Sequence, residues 1–334
     1  MTQKISQVSK LYPKLYHYTN QKGLEGILKS QSLWATHYKN LNDGTELKIF
    51  DNTIKKPLSE KFEKVFREAQ NLHNRKVKKS WEKLNKLDLQ KEVEKEAKYL
   101  LGVMRKAIGE NFFINSFCYH DEGSYEQKNG LLSQWRSYGK EGYAIIFDTK
   151  KLWEMLSLEE EKFPKDRTFI MSNVIYEGFT EDDREDFDDD LEKILTHSTE
   201  FVKTKVRGKI DAARSSIGET YEPFVKCLSR LKHIAFKEEK EIRLVCHSSG
   251  KESSDANEAN CKKLGRETKS RSRNGESILY QEIFGFPDKK LPIERIIIGP
   301  GKNQNDLEKG LLPFLKKENL KKIDITKSET PLII

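Results

Sequence analysis

The chain has 334 residues, of which 36% are hydrophobic, 10% aromatic and 34% charged. This amount of apolar material excludes wholesale disorder, while a mean hydropathy of −0.77 requires a heavily solvated surface. The net charge of +8 permits contact with nucleic acid, but 53 acidic residues accompany the 61 basic ones, so charge alone does not identify such a partner.

The sequence predicts a cytoplasmic protein. No run approaches the roughly 20 consecutive apolar residues that a membrane helix needs, so we expect no membrane contact. The first residues, MTQKISQVSKLYPKL, lack the apolar core of a secretory leader. Four cysteines form no C-x-x-C pair and are expected to be reduced thiols: Cys118, Cys227, Cys246 and Cys261.

The opening unit, residues 11–50, is predicted to contain a strand, a helix and a second strand. The segment LYHYT is rich in β-forming residues, and LWATHY is a second extended piece. Between them, Leu24, Ile27 and Leu28 have the i, i+3, i+4 spacing of a helix that buries one face.

Two segments, 55–108 and 181–235, are predicted to be helical insertions. The first is rich in alternating Lys and Glu, which favours a helical hairpin with a solvated charged face. The second begins with the acidic tract EDDREDFDDDLEK, whose negative charge suits the start of a helix. This tract lacks the spacing of a calcium-binding loop, so a helix is favoured over a metal site.

The other segments predict a central sheet. FFINSFCYH, FIMSNVIYE, EIRLVCH and RIIIG have strand composition, and AIIF is apolar on both faces, as a buried strand requires. A helix at 307–315 and a strand in KKIDIT follow. The polar, basic segment 251–275 lacks apolar periodicity and is predicted to be a mobile surface loop. We therefore predict a single α+β domain over residues 11–334, with a mixed central β-sheet.

Most familiar catalytic signatures are absent. The chain has no P-loop, no G-x-G-x-x-G and no H-E-x-x-H motif. GPGKNQ, at 299–304, is too short for a phosphate loop and is predicted to be a turn. Cys118 and His120 are candidates for one strand face, but no second pair has metal-ligand spacing, so we predict no metal site.

Two aromatic clusters are candidates for binding. His17 lies between Tyr16 and Tyr18 near the end of the first strand, where it is either a functional donor or a satisfied structural histidine. The segment QWRSYGKEGY, at 134–143, brings several aromatic residues close to Arg136. Such a group is either a platform for a planar or anionic ligand or a hydrophobic corner capped by arginine.

A third cluster is FKEEKEIRL, at 236–244. If this segment is a strand, Glu239 and Glu241 are two residues apart and share a face. Two carboxylates on one face repel each other unless solvent, a cation or a substrate separates them. The alternative is an edge strand whose charges prevent aggregation.

Five blocks of the chain resemble the bacterial family of unknown function called DUF2971. The resemblance extends from about Leu15 to Gly299, outside the two insertions and the 251–275 loop. Gly44 departs from the family pattern, which usually has proline at that turn. The blocks are LYHYTN through SLWAT, LND..E, FCYHDEG through SQWRSYG and GYAIIFD, KEEKEIRL, and IERIIIGP.

The resemblance implies an ADP-ribosyltransferase-like core and an NAD-dependent ADP-ribosyltransferase that acts as a toxin in anti-phage defence by abortive infection. Residue by residue, it implies that His17 and Tyr18 contact NAD, with His17 at the nicotinamide ribose. Glu241 would be the catalytic carboxylate, with Glu239 beside it. Cleavage of the nicotinamide–ribose bond passes through an oxocarbenium-like state, which a nearby negative charge stabilises.

The same resemblance implies further contacts to NAD, which is the substrate. Trp135 or Tyr138 would stack on the nicotinamide ring. Arg136 or Arg243 would pair with the pyrophosphate as a bidentate donor. The reaction needs no metal.

Two other functions stay open. A metal-dependent nuclease would use Glu238 and Lys240 as an E-x-K strand motif, with Asp148 as the best candidate for an upstream Mg²⁺ ligand. A non-catalytic module would contact nucleic acid or a phage protein through the basic loop and the Lys-rich helices. The expected partners are a nucleic-acid or protein target and an antitoxin or phage protein that acts as the trigger.

Overall fold

The structure is a computed structural model, and the chain divides into two compact units. The first contains residues 1–42, 111–174 and 235–334, and the second contains residues 43–110 and 175–234. The sequence predicts one domain, whereas most of both predicted helical insertions falls in the second unit. The described residues are 5–41, 46–70, 86–108, 112–138, 142–162, 168–177, 185–208, 218–247, 266–273 and 275–331.

Helices and strands alternate irregularly along the chain, as in an α+β protein. The strands of the described residues are β1 (Lys14–Thr19), β2 (Ser32–His37), β3 (Phe112–Cys118), β4 (Tyr143–Asp148), β5 (Thr168–Asn173), β6 (Ile175–Tyr176), β7 (Leu231–Lys232), β8 (Glu241–His247), β9 (Thr268–Arg273), β10 (Glu276–Phe284), β11 (Ile293–Ile298) and β12 (Asp324–Lys327). The helices are α1 (Ile5–Leu11), α2 (Gln21–Ser30), α3 (Glu46–Gln70), α4 (Lys86–Ile108), α5 (Tyr125–Asn129), α6 (Leu132–Ser137), α7 (Thr149–Lys162), α8 (Glu185–Val206), α9 (Tyr221–Arg230) and α10 (Gln304–Lys317).

The first unit is built on a mostly antiparallel sheet, to which ten of the described strands belong. Its main path runs in the order β12-β11-β4-β1-β3-β2-β10-β9, and β8 joins β3 to β5. The β11–β12 pair is parallel, and the other pairs in this sheet are antiparallel. The predicted mixed sheet with helices is therefore confirmed.

The sheet divides at β3. One edge of β3 pairs with β8 along the whole strand. The other edge is shared, because β1 meets it at Cys118 and β2 meets it at Ile114 and Phe113. We call the stretch of β3 between these two partners, residues 115–117, the fork. Two arms of the sheet diverge from it, β1-β4-β11-β12 and β2-β10-β9.

The two faces of the sheet have different partners. The face that carries Leu15, Phe117 and Ile145, here the core face, packs against apolar residues of α2, α7 and α10. The opposite face, here the tyrosine face, carries Tyr16 and Tyr18 in a smaller cluster with residues of α6, β3, β4 and β11. Because β4 is buried on both faces, the prediction of a buried AIIF strand is confirmed.

The second unit contains α3, α4, α8 and α9 and the short parallel pair β6–β7. Buried residues on α3 recur every fourth position from Phe50 to Phe66, which places one face of the helix in the core. Phe50 packs edge-on against Phe224 of α9, with ring centroids 5.0 Å apart. Ion pairs connect neighbouring helices: Lys61–Glu192, Arg105–Asp51 and Lys205–Glu96.

One sequence-based prediction is wrong over part of its range. Residues 268–273 of the predicted 251–275 loop form β9, which pairs with β10 in a hairpin that turns at Gly275 (φ 83°). This strand has no apolar alternation because it is the edge strand at the end of the main path and is exposed or half-buried. Residues 251–265 lie outside the described residues. No described helix is both long and apolar enough to cross a membrane.

Candidate functional site

The start of β8 holds a buried pair of opposite charges, Glu241 and Arg243. They are two residues apart on one strand, so their side chains project from the same face. Arg243 donates from Nε to Glu241 Oε1 at 2.9 Å and from Nη2 to Oε2 at 3.2 Å. The Arg243 side chain is only 2% exposed, and the Glu241 side chain is only 5% exposed. The guanidinium therefore holds the carboxylate in a fixed orientation through two parallel hydrogen bonds.

The strand register assigns this pair to the tyrosine face. Glu241 is directly opposite Cys118 on β3, and Cys118 is directly opposite Tyr16 on β1. Directly opposed residues project from the same face of a sheet. The row Tyr16–Cys118–Glu241 crosses three adjacent strands, so it spans about 10 Å. Arg243 is opposite Ser116, at the fork.

His120, just beyond β3, joins the two tyrosines of this face. Its ring centroid is 4.4 Å from that of Tyr16, and its Nε2 is 2.9 Å from the hydroxyl oxygen of Tyr18. The Tyr18 hydroxyl also accepts a hydrogen bond from the backbone N–H of Leu131 at 2.8 Å. The Tyr18 hydroxyl therefore links the His120 ring to the backbone of Leu131.

Burial shifts the pKa values of His120, Tyr18 and Tyr16. It lowers the pKa of His120 to about 4, although the carboxylate of Glu126 acts in the opposite direction. Burial also raises the pKa of Tyr18 well above its usual value, and it raises that of Tyr16 against the influence of Arg295. All three groups are consequently uncharged at neutral pH.

Acid should destabilise the protein through His120. Because its folded-state pKa of about 4 lies below the ordinary value of 6.5, the unfolded chain binds the proton first. Stability is therefore complete above pH 6.5 and decreases as the pH falls towards 4, by about 3 kcal/mol in total. Urea unfolding at a series of pH values should show this loss.

The matched variant is His120→Gln, which keeps an amide able to form a hydrogen bond near the position of Nε2 but does not titrate. It should lose less stability than the wild type over the same pH range. Asp121, Glu126 and Lys240 also act on His120 and remain in both proteins. An identical pH dependence in the two proteins would rule out His120 as the group responsible.

His17 lies on the other face of the sheet. It is opposite Ile145, a core-face residue, and its ring is 5.9 Å from that of Phe117. Its Nδ1 donates to the carbonyl oxygen of Ser116 at 3.1 Å, and burial lowers its pKa. The resemblance implies that His17 and Glu241 act at the same ribose, and this implication is wrong for His17, because the two side chains project from opposite faces. His17 instead bonds across the fork, where β1 leaves β3.

A comparison with protein-family models identifies one segment of the chain. Residues 134–244 match the family described as a protein of unknown function, DUF2971. Over this segment, the chain is similar to the DUF2971 family. The predicted resemblance to this family is thus confirmed for residues 134–244, a shorter range than the predicted one from Leu15 to Gly299. No curated protein and no solved structure matches the chain.

Trp135, near the start of the DUF2971 segment in α6, is not a binding platform. Trp135 is fully buried on the tyrosine face, 4.8 Å from the Tyr18 ring, and its Nε1 donates to the carbonyl oxygen of Asn129 at 2.9 Å. A ring with no exposed face cannot stack on nicotinamide, so that expectation is wrong for Trp135. Tyr138, which is 38% exposed, and Arg136, which is also exposed, stay candidates.

The later part of the DUF2971 segment corrects the predicted E-x-E strand. Residues 234–239 form a 3-10 helix, and Lys240 has a left-handed backbone conformation (φ 45°). The strand begins only at Glu241, so Glu239 does not share a strand face with it. The side chain of Lys240 forms an ion pair with Asp121. The proposed partner of Glu241 is therefore replaced by Arg243, one of the two arginines, with Arg136, that the resemblance implies for the pyrophosphate.

The structure shows the surroundings of the proposed metal ligand Asp148 and of the Cys227 thiol. Asp148 Oδ1 accepts a hydrogen bond from the backbone N–H of Lys151 at 3.0 Å, in the first turn of α7. Burial raises the pKa of the Cys227 thiol, which opposes formation of a reactive thiolate. Within the described residues, no group of three or more His, Cys, Asp or Glu side chains is placed to hold a metal ion.

Proposed function

We propose that this DUF2971 protein is an NAD-dependent ADP-ribosyltransferase-like effector, with an ADP-ribosyltransferase-like sheet core, that acts in anti-phage defence by abortive infection. One observation carries the proposal: the early strand β1 and the late strand β8 both pair with β3. The aromatic early block and the late carboxylate therefore belong to one face of one sheet, although they are far apart in sequence.

The proposed chemistry assigns Glu241 to the positive charge that develops on the ribose as nicotinamide leaves. A carboxylate stabilises such an oxocarbenium-like state when its position is fixed before the reaction. The two hydrogen bonds from Arg243 supply that fixed position. Arg243 is thus a positioning residue in this proposal. It replaces Glu239 as the neighbour of the catalytic carboxylate.

The aromatic and basic contacts to NAD are assigned to residues with exposed surface. Tyr138 directly follows α6, whose Trp135 packs on the tyrosine face, and it is 38% exposed, as stacking on nicotinamide requires. Arg136, on the same helix, is available to the pyrophosphate. The Tyr18 hydroxyl forms hydrogen bonds with the His120 ring and with the backbone N–H of Leu131. Its contribution is therefore to hold His120 in place.

The test is incubation of the intact protein with NAD labelled in the ADP-ribose part, with and without EDTA. Candidate protein and nucleic-acid acceptors are included. We expect label transfer that is insensitive to EDTA. Glu241→Gln should lower the rate by about a hundredfold or more, since the stabilising charge is lost. Glu238→Gln is the matched control, because Glu238 is exposed in the 3-10 helix and should be silent.

Folding must be separated from activity in this test. Glu241→Gln leaves Arg243 with a neutral partner in a buried position, so a loss of stability is expected from that variant alone. The double variant Glu241→Gln/Arg243→Met removes both charges and should fold better than the single one. A folded, inactive double variant supports the proposal. Retained label transfer in a folded Glu241→Gln protein rejects it.

The nuclease alternative is not proposed. Its motif requires Glu238 and Lys240 on a strand, but Glu238 lies in a 3-10 helix and Lys240 in a left-handed turn. Its metal-ligand candidate, Asp148, is engaged at the start of α7.

A further inference from the structure

Trp34 is an exposed tryptophan on β2, the strand that pairs with β3 on the side of the fork away from β1. On β2, Leu33 and Ala35 are fully buried in the core, while Trp34 between them points to the opposite face and is 37% exposed. Asn115, at the fork, donates from Nδ2 to the backbone carbonyl oxygen of Trp34 at 2.9 Å. This bond fixes the backbone that carries the indole.

Neighbouring strands support the indole ring. The ring of Tyr280, on β10, is stacked against Trp34 with centroids 4.3 Å apart and an angle of 29° between the planes. The guanidinium of Arg271, on β9, is 5.0 Å from the Trp34 ring centroid and 5.9 Å from that of Tyr280. These three side chains, here the stacking platform, form an aromatic surface edged by a cation.

The edge strand adds a row of positive charge beside the stacking platform. Lys269, Arg271 and Arg273 alternate along β9, so they share one face and are about 7 Å apart. Lys269 is opposite Tyr280 in the register, which assigns the row to the platform's face. Lys269 pairs with Glu282 at 2.9 Å, and Arg273 is opposite Glu276.

Arg271 differs from Lys269, which has Glu282 as its ionic partner. Among the described residues, no carboxylate lies within ion-pair distance of Arg271, and its buried Nε has no hydrogen-bond partner. A cation that lacks an anionic partner and lies against an exposed aromatic ring is suited to a ligand that combines a planar ring with a phosphate.

We propose that this surface binds single-stranded nucleic acid, with a base stacked on Trp34 and the phosphate backbone along Arg271 and Arg273. A single strand is favoured because its bases have free π-faces and its backbone can follow a row of cations on an edge strand. Duplex DNA or RNA offers no free base face to the indole. The inference is independent of the proposed transferase activity, because it uses no residue of the Glu241 site.

Fluorescence anisotropy with short labelled oligonucleotides tests the proposal on the full-length protein. We expect a single strand to bind more tightly than a duplex of the same sequence. Trp34→Ala should weaken single-strand binding about tenfold or more, whereas Trp34→Phe, which keeps an aromatic face, should retain most of it. Arg271→Met should reduce the slope of log affinity against log salt concentration by about one.

Two controls make the result decisive. Lys322→Ala removes an exposed cation next to β12, at the opposite end of the main strand path, and should leave binding almost unchanged. Melting temperatures show whether each variant is folded. Wild-type affinity in folded Trp34→Ala overturns the proposal, and so does equal binding of single strand and duplex. Displacement of the oligonucleotide by an equal concentration of adenosine monophosphate would assign the platform to a free nucleotide and also overturn it.

Discussion

Replacing Arg243 with Met should lower the free energy of unfolding by about 3–5 kcal/mol at neutral pH. The variant removes the guanidinium that donates two hydrogen bonds to Glu241. The carboxylate stays in a buried site, where only 5% of the Glu241 side chain is exposed to solvent. Loss of these two hydrogen bonds leaves the buried negative charge less well compensated for its lost hydration. Urea denaturation at pH 7 measures the difference.

The double variant Arg243→Met/Glu241→Gln distinguishes this cause from lost packing. Removing both charges should recover a large part of the stability, because a buried ion pair contributes little over well-packed neutral residues. The double-mutant cycle should therefore give a coupling energy of more than about 1 kcal/mol. A double variant as unstable as the sum of the two single variants would show that the two side chains act independently.

Truncating Trp135 to Ala should cost about 3–5 kcal/mol of stability. The indole is fully buried against Tyr18, and it contacts two glycines that leave room for it. A Cβ added at Gly130 would lie 2.5 Å from the ring, and one added at Gly299 would lie 3.1 Å from it. Removal of the ring therefore leaves a cavity, because main-chain segments on two sides cannot easily close in.

Trp34→Ala is the matched control for this prediction, since it removes the same side chain from a site that is 37% exposed. It should cost clearly less stability than Trp135→Ala, because less apolar surface returns to water. Gly130→Ala should also be destabilising, since Gly130 has φ 77° and the added methyl group would meet the ring. Equal thermal stability of the Trp135→Ala and wild-type proteins would contradict the packing described here.

Local patterns predicted most strands of the sheet. The local signals are β-forming composition and short apolar runs, which are present in LYHYT, AIIF and EIRLVCH. The observed strands β1, β4 and β8 coincide closely with these three segments. The i, i+3, i+4 stripe of α2 is likewise buried at Leu24 and Leu28. These elements could be predicted because the relevant neighbours lie within a few residues of each other.

The candidate site was harder to predict because it depends on pairing between distant segments. Whether His17 shares a face with Glu241 is decided by the register of β1 and β8 against β3, which no local pattern contains. The prediction that Glu239 and Glu241 share a strand face is wrong for a local reason. The left-handed backbone of Lys240 separates the two residues, so the strand alternation of side chains does not extend back to Glu239. Composition also could not tell the buried Trp135 from the exposed Trp34. Alternation on β2 gives a signal for Trp34, because it lies between two apolar core residues.

The edge strand β9 was missed although the sequence contains a hairpin signal. Asn-Gly at 274–275 is a preferred two-residue hairpin turn, and Arg273 is opposite Glu276 across it. Its polar, basic composition favoured a loop. An edge strand with one open side has little apolar surface to bury, so periodicity is a poor guide to it.

The fork also has a consequence for synthesis on the ribosome. All three partners of β3 are distant in the chain, and its longest pairing is with β8, which is translated only after the whole of the segment between Cys118 and Glu241. At ordinary elongation rates, this delay is on the order of ten seconds. During that time, the nascent apolar segment FFINSFC lacks its main partner, and such a segment is prone to aggregate. Efficient production of this protein should therefore depend on chaperones that bind nascent chains.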